Sequence, residues 1–263
     1  MNSGKKALEE KVNAHSFKEW SSGRHRARRL VAEFIGTSGL TFVLSGSAAI
    51  LTTYGGVELA PFQFAIILSA IAALWLVAAI YFLGDISAHF NPAITLAFTL
   101  RGDMGWPMAG AYIFIQFFAA AVGSYVAACM FGYGGNLAAV IPHAGHLWTT
   151  VSFEAILTFG LVLLILCMTN GPKFDGSSIP LAVGAYVMSM GTMGGCFNGG
   201  SFNPARAFGP GFVLGDFSGY WVYPLGSFIG VLVAVAIAYF LRGPAKAQES
   251  QAAMGIPLHL EDS

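Results

Sequence analysis

Stretches of about 20 apolar residues recur along this chain, and about 20 is the length at which a helix crosses the hydrocarbon of a bilayer. Nothing else in the sequence restricts the fold so strongly. Six such stretches can be read: about Leu30 to Leu51, Pro61 to Leu83, Trp106 to Phe131, Thr149 to Thr169, Ile179 to Phe197 and Tyr220 to Leu241. Charged residues are 10% of the 263, against about 25% in soluble domains. The runs are long and lack the alternation of barrel strands, so they predict an all-α membrane protein with six transmembrane helices. The long polar segment Met1–Arg29 has no short apolar core and does not read as a secretory signal.

Lys and Arg set the expected orientation. Eight of the 13 precede the first run: Lys5, Lys6, Lys11, Lys18, Arg24, Arg26, Arg28 and Arg29. Arg101 and Lys173 follow the second and fourth runs, and Arg242 and Lys246 follow the sixth, whereas Thr52–Ala60 and Gly132–Trp148 contain none. Both termini are therefore expected in the cytoplasm. The expected organisation is a basic N-terminal tail (1–29), a membrane-spanning region (30–242) in two halves of about 30–131 and 149–242, and a polar C-terminal tail (243–263). The Arg24–Arg29 stretch is placed to meet anionic lipid or only to enforce topology. Arg206 breaks the charge rule, because it lies between the fifth and sixth runs on the outer side, and an arginine so placed asks for a functional account.

The halves repeat. Ala32-Glu33-Phe34 stands early in the first run and His89-Phe90-Asn91-Pro92-Ala93 follows the second. Phe153-Glu154-Ala155 stands early in the fourth, and Ser201-Phe202-Asn203-Pro204-Ala205 follows the fifth. With three spans per half, the halves enter from opposite faces, and such an inverted repeat places a site near the midplane.

Each Asn-Pro-Ala segment reads as a helix start, with Asn as N-cap and Pro at the first helical position. Asn91 to Leu100 reaches roughly 15 Å, half the hydrocarbon thickness, and Asn203 to Phe212 has similar reach. Two half-helices would meet N-terminus to N-terminus at the midplane, where their partial positive charges repel cations and hydronium. The Asn91 and Asn203 carboxamides can both donate to one water, which then cannot accept from its neighbour, and proton relay is interrupted. The non-helical stretches Ser87–Phe90 (Ser87, Ala88, His89) and Gly199–Phe202 (Gly199, Ser201, Phe202) would line the path with carbonyl acceptors. Glu33 and Glu154 are intramembrane carboxylates, expected to accept hydrogen bonds from the re-entrant loop of their own half, with His89 a candidate partner for Glu33. Arg206 falls three residues after Asn203, where its guanidinium would repel cations and bind a solute oxygen.

These motifs resemble those of the aquaporin (major intrinsic protein) family over about Arg29 to Leu241, with His89-Phe90-Asn91-Pro92-Ala93-Ile94-Thr95 and Gly200-Ser201-Phe202-Asn203-Pro204-Ala205-Arg206 close to its two signatures. The resemblance implies six helices, two re-entrant half-helices, a pore in each protomer and a homotetramer. It also implies a constriction at Asn91, Pro92, Ala93, Asn203, Pro204 and Ala205, and an outer filter that includes Gly191, Gly200 and Arg206. The second-run filter position is Ala72 if Gly84–His89 is one residue short of the family stretch, and Ile71 if not; Ala72 is preferred. Three small residues and an arginine make a wide filter, resembling members that pass glycerol, urea or metalloid acids, although Ala207 stands where typical glycerol facilitators carry Asp.

The favoured expectation is a passive channel for water and small uncharged solutes in a plasma or inner membrane, with membrane lipid and further copies of itself as partners. Neither nucleic-acid binding nor an enzyme, metal or cofactor is expected, since no nucleophile set or ligand cluster is evident and the net charge is zero. A strictly water-selective pore, an ion channel or coupled transporter, and a structural membrane protein are the alternatives. Cys129, Cys167 and Cys196 read as buried small apolar residues. Gly191-Gly195 and Gly226-Gly230 have a spacing that allows close helix packing. Trp106, Trp148 and Trp221 read as interface anchors, and His143 and His146 as solvent-exposed loop residues.

Overall fold

The computed structural model describes residues 22–56, 58–142, 145–170 and 176–244. The tails outside that range, Lys173 and His143 lie outside the described residues. Among the described residues regular structure is entirely helical: α1 (Gly23–Tyr54), α2 (Pro61–Leu83), α3 (Pro92–Arg101), α4 (Trp106–Phe131), α5 (Leu147–Met168), α6 (Ile179–Gly195), α7 (Pro204–Leu214) and α8 (Val222–Arg242), with 3-10 turns at Gly134–Ala138 and Gly176–Ser178. Five of these (α1, α2, α4, α5, α8) are long and apolar enough to cross a membrane by length and composition. The sixth, α6, has 17 residues, at the short end of what spans. Helix α1 begins at Gly23, so its first turns take in the arginines assigned from sequence to the tail.

The two halves, α1–α4 and α5–α8, pack alike. Helix α1 crosses α4, α5 crosses α8 in the same manner, and α2 meets α6 between the halves. The half-helices exchange partners: α7 lies against α4 of the other half and α3 against α8. Small residues permit this proximity. A Cβ on Gly226 would come 2.6 Å from the Val151 carbonyl oxygen, so α8 and α5 nearly touch backbone to backbone there.

The outward faces are apolar, as lipid contact requires. Phe114, Trp148, Leu74 and Phe240 are exposed. Trp106, Trp148 and Trp221 are exposed near helix ends, and Trp148 and Trp221 pair edge to face with centroids 5.7 Å apart. Cys129 and Cys196, read from sequence as buried, are exposed instead. In a bundle that presents apolar residues outward, apolar neighbours in sequence do not distinguish the core from the lipid face. His146 is exposed and its carbonyl starts α5, accepting from the Thr150 N–H at 2.9 Å.

Candidate functional site

Helices α3 and α7 are both short because each starts at Asn-Pro and stops at glycine. The Asn91 side-chain oxygen accepts from the Ala93 N–H at 2.9 Å, and that of Asn203 accepts from the Ala205 and Arg206 N–H groups at 3.1 and 3.2 Å. At the other ends Gly102 (φ 91) and Gly215 (φ 70) adopt the left-handed cap that closes a helix. At 10 and 11 residues the two helices reach about 15 Å each.

The N-termini are tied across the junction. Asn91 Nδ2 donates to the Phe202 carbonyl and Asn203 Nδ2 to the Phe90 carbonyl, both at 2.9 Å. Phe90 (φ 50) and Phe202 (φ 35) hold left-handed backbone, which turns these carbonyls toward the opposite loop. Each carboxamide has two N–H donors. The exchange uses one, and the other is left for the cavity that both asparagines line.

Two buried carboxylates hold the loops. Glu33 takes the Ser87 hydroxyl (2.7 Å) and the His89 N–H (2.8 Å) on one oxygen, and the Phe90 N–H (2.8 Å) and Gln116 Nε2 (2.7 Å) on the other. Glu154 takes Asn198 Nδ2 (2.8 Å) and the Ser201 N–H (2.9 Å) on one oxygen and the Phe202 N–H (2.7 Å) on the other. Each carboxylate thus binds two consecutive loop N–H groups and one side-chain amide. The His89 contribution to Glu33 is its backbone; the imidazole Nδ1 meets Thr95 Oγ1 at 3.0 Å and the ring stacks on Phe98.

A cavity of about 650 Å³ runs past this junction. Pro61 and Phe64 line it at one end of α2, and Gly84 and Asp85 beyond the other end, so it follows the full helix, 23 residues or about 35 Å. Ala88, His89, Gly199, Gly200, Ser201, Phe202, Gly191 and Arg206 line it. Ala72 does too, and Ile71 is not among the lining residues. Arg206 is 9% exposed, and its Nη1 donates to the Ala138 carbonyl at 3.0 Å.

The Major intrinsic protein family matches residues 19–239. The chain belongs to the major intrinsic protein family. Aquaporin NIP1-4 of Oryza sativa subsp. japonica is 34% identical over 217 residues, covering 81% of this chain and 76% of the relative. Nodulin-26 of Glycine max is 30% identical over 220 residues, covering 82% and 78%. A probable aquaporin TIP1-2 of Oryza sativa subsp. japonica is 35% identical over 221 residues, covering 80% and 85%. An X-ray structure of the aquaglyceroporin from Plasmodium falciparum superposes with a TM-score of 0.66 at 19% identity, covering 81% of this chain and 95% of that one, and so shares the fold.

Within this major intrinsic protein some expected lining residues sit elsewhere. Ser87 does not line the cavity; its hydroxyl is buried between Glu33 and Tyr112 (2.9 Å to the phenol oxygen). Pro92, Ala93, Pro204 and Ala205 are buried in the first turns of the two half-helices and are not among the lining residues. The Phe202 carbonyl, expected to face the lumen, takes Asn91, leaving one lone pair. Gly191 has two settings at once. It lines the cavity, and its missing Cβ would stand 2.8 Å from Ser69 Oγ at the α2–α6 contact.

Sequence reasoning passed over Gln116, Asn198 and Ser69. Gln116 also reaches Thr95 Oγ1 at 3.0 Å, and Asn198 accepts the Tyr223 hydroxyl on its backbone carbonyl at 2.9 Å. Both are amides inside or beside apolar runs, a signal as informative as the two glutamates.

Proposed function

We propose that this chain is a passive channel for water and small uncharged solutes of the glycerol, urea or metalloid-acid type, closed to ions and protons. The observation that carries the reading is the crosswise Asn91–Phe202 and Asn203–Phe90 pair beside a cavity that follows the whole of α2. Each carboxamide keeps one N–H for a passing water. Two helix N-termini converge on the same point, so a cation or a hydronium there meets like partial charges and the donating carboxamides.

Ala72, Gly191, Gly200 and Arg206 form the outer filter in this reading. Small side chains leave width, and the guanidinium binds solute oxygen and repels cations. The relatives named as NIP aquaporins and the aquaglyceroporin structure support a passive channel of this kind. The assembly in this reading is a homotetramer in a plasma or inner membrane. Both termini are cytoplasmic, an orientation that the Lys and Arg distribution supports. A strictly water-selective pore is the second reading. It is favoured by Phe64 and Leu68, bulky cavity-lining residues toward the Pro61 end of α2.

Stopped-flow light scattering on proteoliposomes compares water with glycerol, urea and a neutral metalloid acid. Fast water flow with solute passage is the expected result. Fast water flow alone assigns the second reading, and the absence of both overturns the channel.

A further inference from the structure

The segment after α4 contains an unusual piece of backbone. Gly135, Asn136 and Leu137 have φ of 56°, 51° and 52°, and Ala138 has 57°. This is a run of left-handed residues, three of which carry a Cβ, and each such residue costs about 1–2 kcal/mol. Asn can compensate locally through its side chain, but Leu and Ala cannot. A run of this kind persists only where its surroundings over-determine it.

The surroundings are specific. The Leu137 side chain is fully buried and packs with Ala49 and Ala128 of the α1–α4 crossing. Ser45, fully buried on α1, donates its hydroxyl to the Leu137 carbonyl at 2.9 Å. That carbonyl is only an acceptor, so Ser45's single proton is committed there, and the Ser124 hydroxyl is the donor in the 3.0 Å Ser45–Ser124 contact. The next carbonyl along, that of Ala138, receives Arg206 Nη1 at 3.0 Å. The other three members of the proposed filter, Ala72, Gly191 and Gly200, are small and line the same cavity. The Ala138 carbonyl accepts from the guanidinium, so the direction of the guanidinium depends on where that acceptor is held.

We infer that Ser45 is a positioning residue for the channel's arginine. It locks the left-handed turn, the turn presents the Ala138 carbonyl, and that carbonyl keeps Arg206 against the wall. Ser45 does not line the cavity. The inference rests on the reading of Arg206 as the filter group.

The test compares Ser45→Ala, Ser45→Thr and Ser124→Ala in proteoliposomes, with amide hydrogen exchange of residues 133–140 measured on the same samples. Ser45→Ala should lower the glycerol-to-water permeability ratio about threefold, the worth of one buried hydrogen bond, and speed exchange in that segment. Ser45→Thr, which keeps the hydroxyl, should restore both. Ser124→Ala should change neither, because the Ser45–Leu137 bond survives it. Equal effects of Ser124→Ala and Ser45→Ala would assign the effect to the helix crossing and overturn the inference, as would an unchanged ratio and exchange in Ser45→Ala. Should the unaltered protein pass water alone, the wide-filter reading fails separately. The swing of Arg206 is then read in water flow, which falls about threefold in Ser45→Ala if the inference holds and stays constant if it does not.

Discussion

Single side chains in this protein act through what they leave empty as much as through what they contact. Gly191 lines the cavity, and a Cβ there would press on Ser69 Oγ at 2.8 Å. A Gly191→His substitution must therefore push Ser69 aside and place an imidazole in the cavity at the proposed filter. Overpacking of this sort costs about 1–3 kcal/mol, which a bundle with this much buried contact can absorb. Glycerol permeability is expected to fall about tenfold or more while water flow stays within about threefold, since an added side chain in a narrow path excludes by size. Equal glycerol passage in the variant and the parent, by light scattering, would place Gly191 outside the constriction.

At the scale of elements, each half-helix depends on one carboxylate. Glu33 and Glu154 accept two consecutive loop N–H groups apiece, and these groups are buried where no water replaces the partner. A glutamine retains one acceptor oxygen and turns an NH2 toward a donor. Charge-assisted bonds are worth about 1.5–3 kcal/mol each. Glu33→Gln and Glu154→Gln should each lower the apparent melting midpoint in detergent by about 5–10 °C. Glu33→Gln should be the more severe, since Glu33 also accepts the Ser87 hydroxyl and Gln116 Nε2, whereas Glu154 adds only Asn198 Nδ2. A reversed order would show that the side-chain donors contribute little beyond the shared backbone pair.

For the whole molecule, the inverted repeat brings two helix starts to one point and lets each loop hold the asparagine of the other. The proposed charge exclusion is then a property of the pair. Planar-bilayer recordings of the intact protein should show no cation current above the lipid background under conditions where light scattering reports fast water flow. An Asn91→Asp, Asn203→Asp double variant should admit cations, because two carboxylates reverse the sign of the field where the helix N-termini meet. Silence of that variant, with water flow retained, would locate cation exclusion at Arg206 alone.

The sequence by itself determined the fold class and marked out the candidate site. Apolar runs of membrane length, their even number, two Asn-Pro-Ala starts and two matched glutamates are all local patterns, and hydrophobicity and helix capping act on local patterns. Helix α2 runs over Pro61–Leu83 as read, and α4 over Trp106–Phe131. Tertiary structure alone decided which way side chains face. Lipid and protein interior are both apolar, so the sequence did not distinguish the exposed Cys129 and Cys196 from core residues. Rotation about α2 likewise put Ala72 on the cavity and left Ile71 off it. The crosswise asparagine bonds, the amides of Gln116 and Asn198 on the glutamates, and the left-handed turn that carries Ala138 to Arg206 join residues far apart in the chain. No short-range periodicity encodes those pairings; they exist because the two halves pack against each other in opposite senses.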